Sequence, residues 1–137
     1  MLANTQIRLH HGYIATLNDL KRTRQGYRVI TYNPTEKKQV CAYTYGAESK
    51  GKKPTLEILL TTHEKVICTG SQLFYTAEGS QIAALDIQPG AKLLSIFGTP
   101  MTVLSVKPGK EIEVYALQVF EGENFVLCSG GLLTKSA

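Results

Sequence analysis

Short strand-forming segments, punctuated by glycine and proline and without any sustained helical periodicity, constrain this chain more than any other feature. Gln6-Ile7-Arg8-Leu9 alternates polar and apolar residues, as a half-buried strand does. Arg28 to Tyr32 runs into the turn dipeptide Asn33-Pro34, and Gln39 to Tyr45 is rich in strand formers. Leu56–Leu60 and Val66–Cys68 read as a hairpin around Thr61-Thr62-His63-Glu64-Lys65. Ser71 to Thr76, Lys92 to Phe97, Met101 to Val106, Glu113 to Phe120 and Phe125 to Cys128 continue the pattern. The polar, lysine-rich stretch Gly46 to Pro54 reads as an exposed loop tip. The prediction is an all-β domain.

The chain also echoes itself. Leu17-Asn18-Asp19-Leu20 precedes Gly26-Tyr27-Arg28-Val29, and Leu85-Asp86-Ile87 precedes Gly90-Ala91-Lys92-Leu93. Two similar halves, related by a pseudo-twofold, are expected. The 137 residues suffice for one domain, residues 1–137, with a single core. No apolar run is long enough for a membrane helix. The three cysteines, Cys41, Cys68 and Cys128, are odd in number and widely spaced. That argues against a disulfide framework and for a reducing, cytoplasmic setting. The net charge of +4 is mild. Two basic stretches, Lys21-Arg22-Arg24-Arg28 and Lys50-Lys52-Lys53, lack the interleaved aromatics of a base-stacking surface. A solvated face is favoured over nucleic-acid binding.

The order and framing of several segments resemble the Hint fold of inteins, bacterial intein-like domains and Hedgehog autoprocessing domains. The first block resembles Leu2, Thr5, Ile7 and Leu9, then Gly12 and Leu17-Asn18-Asp19-Leu20. Gly26 matches the glycine of a Gly-Asp pair, with Tyr27 at the aspartate. The family's T-x-x-H falls on Thr69 to Gln72, so Gln72 stands at the histidine. Leu85 to Leu94 resembles the L-x-x-G-D-x-L segment, with Ala91 at its aspartate. The last block resembles Val114 to Val119, then Asn124-Phe125-Val126 to Gly131-Leu132-Leu133-Thr134. Ala116 stands where many inteins have aspartate, and Glu123 near a histidine. The final His-Asn falls on Lys135 and Ser136, with Ala137 as a flanking residue. Met1 stands at the Cys or Ser nucleophile. The interval between blocks leaves no room for an endonuclease insertion, so the resemblance implies a minimal module: a horseshoe of pseudo-twofold β halves with both termini at a central cleft.

What the resemblance implies for chemistry follows from these letters. The family acts on its own flanking peptide bonds, without a cofactor, through an N-terminal acyl shift that needs a thiol or hydroxyl at the first position. A thioether has no proton to lose. Glutamine donates hydrogen bonds but does not titrate near neutrality. Thr69 still offers a donor toward an oxyanion. Neither Ser136 nor Ala137 has the side-chain amide that cyclises in the last step. The chain as written is therefore expected to be inactive, a monomer whose partners are its own flanking extein segments, with no metal. Two origins stay open. Replacement at both ends of an active domain explains Met1 and Ser136 or Ala137 but not Gln72 or Ala116; natural divergence explains all of them.

Other residues carry plainer readings. His63 is expected at a solvated turn tip. His10 and His11 sit at a turn before Gly12 without metal-ligand partners at close spacing. Cys68 reads as a buried small hydrophobe near the cleft. Cys128 is a candidate substitute nucleophile, Tyr115 and Phe125 are core, and Ser136 is a tail residue or a downstream nucleophile. The competing function is a noncatalytic β module that binds nucleic acid or a protein partner through basic loops.

Overall fold

The computed structural model describes residues 1–20, 27–33, 36–44, 46–119 and 124–136. Lys21, Arg22, Arg24, Gly26, Pro34, Tyr45, Phe120, Glu123 and Ala137, all named above, lie outside the described residues. Strands dominate, as the alternation predicts. In chain order they are β1 (Gln6–Arg8), β2 (Ile14–Thr16), β3 (Tyr27–Asn33), β4 (Lys38–Thr44), β5 (Ala47–Lys53), β6 (Leu56–Leu60) and β7 (Lys65–Cys68). There follow β8 (Leu73–Tyr75), β9 (Gln81–Ala83), β10 (Lys92–Leu93), β11 (Met101–Pro108), β12 (Ile112–Leu117), β13 (Asn124–Val126) and β14 (Leu133–Lys135). A single turn of helix, α1 (Leu17–Leu20), and three short 3-10 turns complete the described elements.

The internal echo is geometric. In β1–β2 Ile7 pairs with Ala15; in β8–β9 Phe74 pairs with Ile82. Each hairpin ends in a helical turn, α1 in one half and Ala84–Asp86 in the other. Leu17 N donates to Thr5 O at 3.1 Å and Asn18 N to Ala3 O at 2.8 Å. Their counterparts are Ala84 N to Gln72 O and Leu85 N to Gly70 O, both 2.9 Å. Bridges Leu9–Val29 and Thr76–Leu93 repeat the relation. From Ala3 to Asn18 equivalent residues are separated by one constant sequence offset, which extended to the N-terminus matches Met1 with Cys68 and Leu2 with Thr69; by Val29 and Leu93 the offset has shortened.

The β13–β14 hairpin joins the halves. β13 serves the first: Ile7 bridges Leu127, and Asn124 holds β3. β14 serves the second: Thr134 pairs with Phe74, and Ser95 bridges Leu132. Around this hub Ile7, Leu60, Phe74, Leu117, Phe125 and Leu132 are fully buried. Each such side chain contributes roughly 1.5–3 kcal/mol by leaving water.

Two expectations are corrected. Gly46 to Pro54 is not a loop tip: Ala47–Lys53 forms β5, antiparallel to β12. Its side chains are almost all exposed, so no apolar alternation marks it; backbone pairing with a distant strand overrides local propensity. The expected strand Lys92 to Phe97 stops at Leu93, after which Ser95 makes only an isolated bridge. Ser95 is occupied as a turn residue, its hydroxyl donating to Thr99 O at 2.7 Å. The hairpin of β6 and β7 forms as expected, with exposed His63 at its tip in the left-handed region (φ 70°).

Candidate functional site

Met1 is fixed by the backbone. Its carbonyl accepts from Tyr115 N at 2.7 Å, and its nitrogen donates to Tyr115 O at 3.1 Å. This reciprocal pair adds Met1 to β12 as a strand residue would be added, and leaves its side chain 2% exposed. Burial holds the terminal amine below its ordinary pKa, opposed by the charge of Cys68. Cys68 is fully buried, and desolvation pushes its thiol up to about 12. It behaves as the small hydrophobe expected of it, inert as a nucleophile.

β7 ends at Cys68, and Thr69 to Gln72 turn into β8. Gln72 N closes this turn onto Thr69 O at 3.2 Å. The Thr69 and Ser71 hydroxyls lie 3.3 Å apart. Gln72 reaches across to β14: its Nε2 donates to Thr134 Oγ1 at 2.6 Å and to Lys135 O at 3.0 Å. Thr134 Oγ1 in turn donates to Leu73 O at 2.9 Å.

These residues border one cleft of about 740 Å³. Six of the seven sequence-predicted positions line it: Met1, Thr69, Gln72, Ala116, Lys135 and Ser136. The seventh, Ala137, lies outside the described residues. Ser136 is half-buried against the cleft and is not a detached tail. Cys128 does not line it, so its reading as a substitute nucleophile is corrected: Cys128 N binds instead to Gln6 O, at the start of β1. Its thiol is also raised by burial, with Arg8 opposing and Glu64 adding to the shift. Tyr115 and Phe125 are core residues as expected, but both also face the cleft.

Sequence reasoning missed Lys50 and Lys53, which line the cleft from β5. The β5–β12 register shifts between Ser49 and Lys52, across Gly51 at φ 79°. That bulge turns residues three apart to one side, which strict alternation would not do. The lysine run itself was the available signal. Among the residues lining the cleft there is lysine but no aspartate or glutamate. Among the described residues, no group of His, Cys, Asp and Glu could hold a metal ion, and no helix is long and apolar enough to cross a membrane.

No protein-family model and no curated protein matches the chain. Solved structures do. A DnaB intein from Synechocystis sp. PCC 6803 superposes with a TM-score of 0.86 at 17% identity, covering 98% of this chain and 96% of that one. The bacterial intein-like domain from Clostridium thermocellum gives 0.87 at 21%, with 98% and 96% covered. The gp41-1 intein gives 0.77 at 18%, with 98% and 95% covered. Matches over nearly the full length of both chains identify the architecture: the chain has the all-β Hint-type fold of inteins and bacterial intein-like domains.

Proposed function

We propose that this is an intein-like autoprocessing domain whose cleft, as written, lacks the groups for acyl transfer. The observation that carries the reading is Gln72. At the position of the family's T-x-x-H histidine, its amide donates to Thr134 and Lys135 and so ties the C-terminal strand to the cleft wall. An amide used in this way neither titrates near neutrality nor protonates a departing amine. Met1 offers a thioether where a thiolate or alkoxide must attack the preceding carbonyl. Ala116 has no carboxylate, and Lys135 and Ser136 supply an ammonium and a hydroxyl where imidazole and a cyclising amide are needed. What is left is a scaffold that holds both chain ends together, with Thr69 as an oxyanion donor. Its partners in this reading are its own flanking segments, it acts as a single 1–137 unit and a monomer, it needs no cofactor, and its location follows its host protein.

The test is restoration. With tags fused at both ends, Met1→Cys combined with Gln72→His should give thiol-inducible cleavage at the N-terminal junction, seen as a mass change. The unaltered fusion should stay intact. A folded double variant that resists thiol would remove the main support for autoprocessing ancestry of this cleft. Salt-sensitive retention on nucleic acid, lost when Lys50, Lys52 and Lys53 are neutralised, would instead favour a binding module.

A further inference from the structure

On the β3–β4 hairpin, among residues that do not line the cleft, an exposed thiol meets an imidazole. Cys41 Sγ lies 2.7 Å from His10 Nδ1. The pair is built by the fold. Leu9 bridges Val29, which lays the 3-10 turn His10–Gly12 over β3, while Cys41 projects from β4 opposite Ile30. Two residues further along β4, Tyr43 is opposite Arg28. The Arg28 Nε donates to the Tyr43 hydroxyl at 3.1 Å, and its guanidinium lies 5.4 Å from that ring's centre. The guanidinium is stabilised in its charged form first by this bond and next by the charge of Tyr43, with Cys41 the smallest contributor. From His10 and Arg28 a groove of about 430 Å³ opens, walled by Leu9, Tyr13, Ile14 and Tyr27 with Asp19 at its edge. Tyr13 and Ile14 are 70% and 54% exposed, an apolar wall left to solvent.

We propose that Cys41 and His10 form a thiol–disulfide exchange site, separate from the cleft, that takes low-molecular-weight disulfides with an apolar or aromatic body. The Cys41 S–H proton passes to His10 Nδ1. The thiolate attacks one sulfur of the disulfide R–S–S–R, a new S–S bond forms, and the old one breaks. The leaving thiolate R–S⁻ takes the proton back from His10. Cys41 is oxidised to the mixed disulfide Cys41–S–S–R, one half of the reagent is reduced to R–SH, and an external thiol reverses the step. Arg28 steadies the anionic sulfur, and the groove holds the retained R group. The other two cysteines lack this arrangement: Cys68 is buried, and Cys128 is raised by burial.

The native protein is mixed with dithiodipyridine near neutral pH. Released thiopyridone is followed by absorbance, and the labelled peptide is identified by mass spectrometry. A fast phase on Cys41 is expected, about tenfold or more faster than the same cysteine in the chain unfolded by denaturant. Cys41→Ser should abolish that phase, and His10→Gln should slow it about tenfold while circular dichroism stays native. Equal or slower labelling of Cys41 in the folded state, or a fast phase on Cys128, overturns the proposal without any variant. An unchanged rate in a folded His10→Gln protein also overturns it.

Discussion

The Gln72 side-chain amide bridges to Thr134: Nε2 stands 2.6 Å from Oγ1, and that hydroxyl donates onward to Leu73 O at 2.9 Å. Two elements far apart in sequence, the entry to β8 and the last strand β14, are locked by one short polar relay at the cleft wall. Thr134 is fully buried, so its hydroxyl is satisfied only within this relay. Gln72→Ala should cost about 1–2 kcal/mol of stability, since it removes a donor to two acceptors but leaves the Thr134–Leu73 bond. Chemical denaturation measures the loss. Hydrogen exchange should show it concentrated in Leu133–Lys135, where Lys135 O also loses its partner.

Asn124 makes the matching clasp in the other half. It is 0% exposed; its Oδ1 accepts from Thr31 Oγ1 at 2.9 Å and Tyr32 N at 2.8 Å, and its Nδ2 donates to Tyr32 O at 2.8 Å. Asn124→Ala strands these groups and should destabilise by about 1–3 kcal/mol, in equilibrium unfolding, more than Gln72→Ala at its half-exposed site. Asn124→Asp should not rescue it, because a second oxygen would face the Tyr32 carbonyl. Asn124→Ala and Gln72→Ala act on separate halves and should add in the double variant within about 0.5 kcal/mol.

Gly130, in the turn between β13 and β14, has φ 62° and packs under Leu60: a Cβ there would stand 2.7 Å from Leu60 Cδ1. Gly130→Ala combines a left-handed backbone with a collision in the core and should lower stability by roughly 1–3 kcal/mol. Pairing it with Leu60→Ala should recover the steric part only, which a double-mutant cycle reads as a favourable coupling.

How much of this was legible in the sequence depends on which interaction fixes each element. β1, β3, β4 and the β6–β7 hairpin show in Gln6 to Leu9, Arg28 to Tyr32, Gln39 to Thr44 and Leu56 to Cys68, because one buried face imposes alternation or an apolar run on a local string. The echo between Leu17–Leu20 and Leu85–Ile87 was legible because each half repeats one hairpin and helical turn. β5 was not: Lys50, Lys52 and Lys53 are solvated, and the strand exists through its backbone bonds to β12, more than fifty residues away by sequence. The gathering of Met1, Thr69, Gln72, Ala116, Lys135 and Ser136 came from the family resemblance and not from their spacing, since no local period links residues brought together by the Met1–Tyr115 and Gln72–Lys135 bonds. His10 was read with His11 as a turn residue and Cys41 only as one of three widely spaced cysteines; their contact needs the Leu9–Val29 bridge, which no sequence window contains.

Cys68 makes stability depend on pH at the alkaline end. Desolvation raises its thiol to about 12 from an ordinary value of 9.0, while the Met1 amine pulls it slightly back. A raised thiol means that the folded chain keeps a proton the unfolded chain gives up. The resulting stability is therefore complete below pH 9.0 and falls away as pH climbs from there toward about 12. Cys68→Ala should lose stability at neutral pH by roughly 1–2 kcal/mol for the emptied volume, yet flatten the alkaline decline. Denaturant midpoints taken between neutrality and the top of that window should thus converge for the two proteins as pH rises; parallel curves would mean that Cys68 is not the group responsible.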